Sequence, residues 1–313
     1  MTNLRNHVVA VAAVVLALAL GLLVGSTTLR ADAAKGVTDR SGAIARRDTQ
    51  VAAARAQIRR DRAFDAAVQP YAIGGRLTGV SVVVVSAPGA DGATRGSLID
   101  ALTLAGATLA GDVRLRPSLL DPEQSSFLGS LVAHLPAPPQ GLPAGTGPQR
   151  ALALLADVLG TRPKRRPESA ADVARVLSAY AAGKLLTLAG SQPHPASLAI
   201  LLAAPAPTAK AGPAAQTAAA QQALLAQLAQ RLDDAAVGAV VVGPSSAAEP
   251  GGLLDLIRRD KAVSAAVSTV DAAEQPSGVI AAILALGQQA AGSAGSYGGA
   301  AGAIAPVPSP TPS

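Results

Sequence analysis

The segment Val80-Ser-Val-Val-Val-Val-Ser86 decides the fold class of this chain. Its continuous β-branched run is typical of a strand that is buried on both faces, as strands are in a parallel sheet. The sequence Ala-Pro-Gly-Ala-Asp-Gly over residues 87–92 indicates a turn, and a helix is predicted from about Thr94 to Ala105. A second strand over Thr108–Leu115 then completes one βαβ unit.

The same alternation of strands and helices continues to residue 291. Further strands are predicted at Leu185–Ala189, Ser197–Ala204, Val237–Val242 and Val263–Val270, and further helices at Gln124–His134, Gln149–Leu159, Glu168–Ala182, Ala214–Leu232, Gly252–Arg259 and Ser277–Gln289. This order predicts an α/β domain over residues 78–291, built on a mostly parallel, doubly wound sheet. The Gly/Ser/Pro-rich residues 292–313 are predicted to be a disordered tail.

An apolar run, Val8–Val24, precedes the domain. It lies in an interval of 24 residues without a charged side chain, between Arg5 and Arg30. A helix of that length reaches about 36 Å, and the apolar core of a bilayer is about 30 Å thick. Residues 1–30 are therefore predicted to be an N-terminal transmembrane helix. The alternatives are a cleaved signal peptide, with Ala31-Asp-Ala33 as the cleavage site, and a buried core helix of a soluble protein.

The transmembrane helix and the signal peptide both export the rest of the chain. The short head before the apolar run is typical of a signal-like layout, which predicts a single-pass protein of the cell envelope with its C-terminal domain outside the cytoplasm. Basic residues flank both ends of the run, so the distribution of positive charge does not decide the orientation by itself. Whether the inner or the outer membrane is occupied stays open.

Residues 31–70 are predicted to form a juxtamembrane helix. Apolar residues recur in it every seven positions, at Val37, Ile44, Val51 and Ile58. The positions that would complete a heptad core include Arg40, Arg47 and Asp61, so the pattern predicts a weak coiled coil at most. The alternative is a solvated, arginine-rich stalk without a partner.

Two segments offer contacts between copies of the chain. One is the heptad segment Val37–Ile58. The other is the apolar segment Val8–Ser26, in which Gly21 and Gly25 have the G-x-x-x-G spacing of helix pairs in membranes. The predicted partners are therefore a membrane and, through these segments, further copies of the chain.

The composition excludes several chemistries. The formal charge of +6 and the pI near 10.2 favour attraction to anionic lipids or envelope polymers. Aromatic residues make up only 2% of the chain, whereas single-stranded nucleic acids are bound by stacking on aromatic side chains, so no nucleic acid partner is predicted. Cysteine is absent, which excludes a disulfide framework and a thiolate nucleophile.

No complete catalytic or cofactor-binding motif is present. The turn Ala87–Gly92 lacks the G-x-G-x-x-G spacing of dinucleotide sites, and the chain contains no P-loop sequence. Gly243-Pro-Ser-Ser-Ala247 follows a strand as a nucleophile elbow does, but alanine replaces the final glycine. The chain is therefore predicted not to be an enzyme and to hold no cofactor. An exported hydrolase that uses Ser245 is the alternative from another class.

Metal-ligating residues are few and far apart in the sequence. A Cu(I) site requires thiolates or thioethers, and the chain has no cysteine and a single methionine, Met1. The remaining candidates are His134 and His194, which together with carboxylates would form a Cu(II) site only if the fold brings them together. The alternative for His194, which lies between two prolines, is an ordinary loop residue.

Three stretches of the chain resemble the actinobacterial copper-transporter family. They are the N-terminal block Leu4–Ser26, the strand Val80–Ser86 with the proline-containing turn after it, and Val267–Leu286. The resemblance runs in order over nearly the whole chain. It implies an envelope protein of a mycolic-acid-type cell wall, linked to copper efflux and to channel activity in the outer membrane.

The resulting hypothesis is a non-enzymatic, membrane-anchored envelope protein that acts in copper efflux, copper homeostasis or channel-associated transport. Copper is a transported ion in this hypothesis, and its ligands are unknown. The alternative is an envelope scaffold or interaction protein without a direct metal role.

Overall fold

The computed structural model describes residues 46–136, 141–163, 169–209 and 211–309. The predicted membrane segment Val8–Val24 lies outside the described residues, as do Val37 and Ile44 of the heptad pattern. Within the described ranges, every helix is too short or too polar to cross a bilayer.

The chain divides into a first compact unit that ends at Asp61 and a second that covers Arg62–Ser313. The described residues of the first unit, 46–61, are helical, and helical structure runs on to residue 73. We call residues 46–73 α1. The predicted juxtamembrane helix ended at residue 70, three residues before the observed end. Pro70 has no N–H to donate to the preceding turn, and the helix ends one turn after it, where the Pro70 carbonyl accepts a hydrogen bond from Gly74 N at 3.0 Å.

The second unit alternates strands with helices. The strands are β1 (Ser81–Ser86), β2 (Thr108–Leu115), β3 (Leu186–Ala189), β4 (Leu198–Leu202), β5 (Gly238–Val242), β6 (Ser268–Val270) and β7 (Ser296–Tyr297). The helices after α1 are α2 (Gly92–Leu104), α3 (Ser125–Ala133), α4 (Gly147–Leu159), α5 (Ala170–Ala182), α6 (Gly212–Ala235), α7 (Leu253–Arg259), α8 (Lys261–Ser264) and α9 (Pro276–Ala290). Short 3-10 helices cover Pro117–Leu120, Pro122–Gln124 and Ser245–Ala248.

The seven strands form one sheet with the order β3-β2-β1-β4-β5-β6-β7. Neighbouring strands run parallel except β2 and β3, which are antiparallel. The predicted α/β fold with a mostly parallel sheet is therefore confirmed. Because the chain first adds strands on one side of β1 and then returns to β4 on its other side, the strand order reverses between β1 and β4.

Two apolar cores lie on the two faces of this sheet. In β1, Val83 and Val85 belong to one core, Val82 and Val84 belong to the other, and all four are fully buried. Side chains of α3 to α7 build the first core, whereas side chains of α2 and α9 build the second. Burial on both faces explains why β1 is a continuous valine run and does not alternate with polar residues.

The unit that contains the sheet begins before residue 78, where the domain was predicted to start. Ile73 and Leu77 are fully or almost fully buried in the second core, beside residues of α2 and α9. A single isoleucine and a single leucine among polar residues and glycines give no periodic signal, so their burial was not evident from the sequence.

The strand predicted at Val263–Val270 is wrong in its first half. The side chain of Asp260 accepts hydrogen bonds from Ala262 N at 2.9 Å and Val263 N at 3.2 Å, which caps the short helix α8. The strand β6 begins only at Ser268. Short apolar runs fit helices and strands equally well, and here the aspartate cap decides for a helical turn.

Asp233, near the C-terminal end of α6, is a buried carboxylate with a perturbed pKa. Burial raises its pKa from 3.8 to about 6, although Ala239 N donates to its Oδ1 at 3.1 Å and the charge of Arg162 acts in the opposite direction. Arg162 itself bonds the main chain, donating to Ala236 O at 2.6 Å and to Asp233 O at 2.7 Å. Compared with the unfolded chain, the folded state therefore favours the protonated form of the Asp233 carboxyl group.

Asp233→Asn is expected to raise the Tm at neutral pH. In the unfolded chain this carboxyl group ionises near 3.8 and in the fold near 6, so the wild-type free energy of unfolding falls as the pH rises between these values. Asparagine still accepts the bond from Ala239 N but carries no charge to desolvate. The increase in Tm should therefore shrink as the pH falls through 6 and vanish below 3.8. Thermal unfolding of both proteins across this pH range measures it.

The matched control is Asp234→Asn, at the exposed neighbour that pairs with Arg231 at 3.8 Å and whose charge is the smallest of the causes that act on the pKa of Asp233. This exposed pair contributes little, so the control should leave the Tm almost unchanged at every pH. A gain from Asp233→Asn that is constant with pH would contradict the account.

Candidate functional site

Ligands of doubly wound proteins bind at the carboxyl ends of the strands, beside the point where the strand order reverses. In this chain, main chain and small side chains meet between the ends of β1 and β4. Ala87 N donates to Leu202 O at 2.9 Å. Gly89, with φ +81°, lies beside Ala204, and a Cβ at residue 89 would be in ordinary van der Waals contact with the Ala204 Cβ, at 3.6 Å. The segments that follow β1 and β4 are thus in contact with each other.

A cavity of about 480 Å³ lies beside this edge in the second unit, among residues 62–69, α2 and the segment that joins β6 to α9. Its polar lining includes the carboxylates of Asp91, Asp100 and Glu274, the guanidinium of Arg62 and the amides of Gln69 and Gln275. Three carboxylates and one guanidinium give the lining a negative balance. The cavity has the volume of a small-molecule pocket, and its lining suits a cationic or hydrogen-bond-donating group.

Two of the three carboxylates are held by neighbouring side chains. Asp91 caps α2, because its Oδ2 accepts from Thr94 N at 2.7 Å and from Thr94 Oγ1 at 2.8 Å. These bonds lower the pKa of Asp91, so the cap is charged at neutral pH. Glu274, which lines the same cavity just before α9, accepts from the Ser245 hydroxyl. Hydrogen bonds within the fold therefore hold two of the three carboxylates of the lining in place.

Ser245, the candidate nucleophile of the sequence analysis, begins the 3-10 helix after β5. Its Oγ donates to Glu274 Oε1 at 2.8 Å, and its N lies 3.3 Å from Glu274 Oε2. The serine and the glutamate are 29 residues apart in the sequence, so their contact follows from the sheet and not from a local motif.

The two histidines that were the metal candidates are exposed and lie in different elements. His134 ends α3, with its Nδ1 2.8 Å from Ser130 O. His194 lies in the loop before β4, with its Nδ1 3.4 Å from Pro195 O. The described part of the chain contains no group of three or more histidines and carboxylates placed to hold a metal ion, so neither histidine belongs to such a group.

A buried ion pair near the C-terminus was missed by the sequence analysis. Arg258 of α7 and Asp271, after β6, have side chains that are 3% and 1% exposed. Arg258 Nη2 donates to Asp271 Oδ2 at 2.9 Å and to Tyr297 O at 2.9 Å, and Arg258 Nε donates to Thr269 Oγ1 at 2.9 Å. A charged pair at this depth is stable only with such additional hydrogen bonds.

The same pair orders part of the predicted disordered tail, residues 292–313. Asp271 accepts from Gly299 N at 2.9 Å and from Ala300 N at 3.2 Å, and β7 pairs with β6 at the sheet edge. Gly298, with φ +124°, is required here, since a Cβ would lie 2.2 Å from the Asp271 carboxylate. The described residues 292–309 are thus attached to the domain by contacts that their own composition does not indicate.

The fold and its carboxyl-edge cavity define a doubly wound α/β protein with a helical N-terminal extension. A family model described as "Copper transport outer membrane protein, MctB" matches residues 1–308. The chain therefore belongs to the MctB family of copper transport outer membrane proteins, and the resemblance found in the sequence is confirmed. No curated protein matches the sequence.

Proposed function

We propose that this chain is a non-enzymatic, single-pass envelope protein that acts in copper efflux or copper homeostasis. The observation that carries the proposal is the family match over residues 1–308. In this proposal residues 1–30 anchor the chain, and the α/β domain lies outside the cytoplasm. Copper is cargo here and not a resident cofactor, and the role includes channel-associated transport.

The contacts at the carboxyl edge support a non-catalytic role. Hydrolase triads use an imidazole that takes the serine proton. Here the Ser245 hydroxyl donates to a carboxylate at 2.8 Å, and the described histidines bond the main chain elsewhere. This arrangement supports a role for Ser245 in fixing Glu274 at the cavity wall.

The proposal is tested by deleting the gene and measuring cell-associated copper. Loss of an efflux or homeostasis protein should raise copper content and copper sensitivity, and the full-length chain should restore both. Zinc content, measured in the same cells, is the control for general envelope damage and should not change. A deletion strain with wild-type copper content would reject the proposal.

Ser245→Ala is expected to leave copper content and copper resistance at wild-type levels in the complemented strain. The substitution removes one side-chain hydrogen bond near the surface, which contributes about 1 kcal/mol to stability. Thermal unfolding checks that the variant is folded. A folded variant that fails to complement would favour the exported hydrolase over the present proposal.

A second candidate function is an envelope scaffold without a direct metal role. The chain has five aromatic residues, and three of them, Phe64, Tyr71 and Phe127, are 69%, 88% and 47% exposed. Exposed aromatic side chains are typical of protein-binding surfaces. Cross-linked membranes should then yield defined partners with the wild-type chain but not with the Phe64→Ser/Tyr71→Ser variant, and recovery of the bait alone would reject the scaffold.

A further inference from the structure

The described residues of the first compact unit, 46–61, form a strongly basic and exposed helix. Every side chain in this segment is exposed except that of Ala56, which is partly exposed. The segment contains five arginines and two aspartates, a net charge of +3. We call it the basic helix. A helix of this kind without a hydrophobic core is stabilised by what it binds or by local side-chain pairs.

Two apolar side chains mark one face of the basic helix. Val51 and Ile58 are 46% and 48% exposed. They are seven residues apart, which places them within about 20° of each other around the helix axis. Both are aliphatic side chains turned to solvent on a segment that is otherwise polar or alanine.

Arginines flank this apolar face. Arg47 and Arg55 are each four residues from Val51, so they lie about 40° to either side of it. Arg59 follows Ile58 directly, and the two acidic residues near this face are Asp48 and Asp61, each three residues from one of the apolar side chains. Three residues after Ile58, Asp61 accepts from Gln57 Nε2 at 2.8 Å, and Gln57 Oε1 accepts from Arg60 at 2.8 Å. Asp61 therefore already has a partner within the helix.

A second copy of the chain is a poor occupant for this face. In a parallel pair with Val51 and Ile58 at the a positions, the d positions are Arg47, Ala54 and Asp61. Two of these three layers would then bring like charges together. An anionic surface instead attracts the arginines and accepts the two apolar side chains at the acyl boundary.

We propose that the basic helix, residues 46–61, binds an anionic lipid surface through Val51 and Ile58, with Arg47 and Arg55 on the lipid phosphates. Long arginine side chains reach the phosphates while their aliphatic parts stay with the apolar side chains. The binding is independent of any copper role, because it uses residues of the first unit alone.

The test uses the full-length chain in proteoliposomes and exploits the absence of native cysteine. Val51→Cys and Ile58→Cys each carry an environment-sensitive fluorophore on the apolar face. Ala53→Cys is the matched control, because residue 53 lies about 160° from residue 51 around the axis. Vesicles contain either phosphatidylcholine alone or phosphatidylcholine with phosphatidylglycerol.

The expected result is a blue-shifted emission and protection from iodide quenching at residues 51 and 58, only in phosphatidylglycerol vesicles and not at residue 53. Salt near 1 M, where the Debye length is about 3 Å, should reverse the shift. Adding Arg47→Gln or Arg55→Gln to the labelled chain should lower the bound-to-free ratio roughly fivefold per arginine, the change that about 1 kcal/mol per basic residue represents.

Three results would overturn the proposal. Equal emission shifts in both vesicle types would show that the apolar face binds lipid without regard to charge. Emission shifts that scale with the protein-to-lipid ratio would show that the face binds a second copy of the chain. The absence of a shift at residues 51 and 58 in every vesicle would identify a solvated stalk. Copper content is not a readout here, so failure of this proposal is distinguishable from failure of the copper role.

Discussion

Arg258→Ala is expected to lower the free energy of unfolding by about 3–5 kcal/mol, because it leaves a buried aspartate without its partner. Asp271 is 1% exposed, and among the described residues it keeps two main-chain donors, Gly299 N and Ala300 N, when the guanidinium is removed. Arg258 also bonds Tyr297 O and Ala301 O, so the variant should detach the C-terminal segment from the sheet edge. Chemical denaturation and limited proteolysis measure the two effects.

The matched control is Arg259→Ala, at the next residue of α7. Arg259 is largely exposed and pairs with Asp255 at 2.7 Å, so its removal should cost less than about 1 kcal/mol. Asp271→Asn gives an intermediate case, because the amide oxygen still accepts hydrogen bonds. Equal stability losses from Arg258→Ala and Arg259→Ala would show that the buried pair does not hold this part of the fold.

Gly278→Ala is expected to destabilise the fold by about 3 kcal/mol, since a new methyl group meets main chain that cannot move aside alone. A Cβ at residue 278 would lie 2.2 Å from Ala272 O. Ala272 has φ +58° and lies between Asp271 of the ion pair and Ala273, whose N donates to Gly243 O at 3.0 Å. A shift of Ala272 would therefore disturb both the pair and the cavity wall.

Gly287→Ala is the matched control within the same helix. No atom lies within 4 Å of a Cβ built at residue 287, and the residue has no positive φ. Alanine in a helix interior is favoured over glycine by up to about 1 kcal/mol. The control should therefore raise the Tm while Gly278→Ala lowers it. Changes of the same sign at both positions would contradict the packing described here.

The sheet was predictable where single strands carry their own signal. β1 and β5 are valine-rich runs of the length and composition of doubly buried strands, and both were found. The strand order and the antiparallel β3 were not predictable, because Leu186–Ala189 has no feature that fixes its direction. That information resides in contacts between residues far apart in the sequence.

The candidate site shows the same division. The Ala87–Gly92 turn, with Asp91 as the cap of α2, was recognisable as a turn before a helix. The pairing of Ser245 with Glu274 was not, since each residue alone looks like an ordinary loop residue. β7 is the extreme case. Its two residues lie in a glycine-rich stretch and become a strand through Arg258 and Asp271, which the local sequence does not contain.

The proposed copper role is tested most directly by the rate at which copper leaves preloaded cells. Wild-type cells, deletion cells and cells complemented with the full-length chain are loaded with copper, washed, and followed for cell-associated copper over time. The account predicts slower copper loss in the deletion strain and a return to the wild-type rate on complementation. Identical rates of copper loss in the wild-type and deletion strains would contradict it.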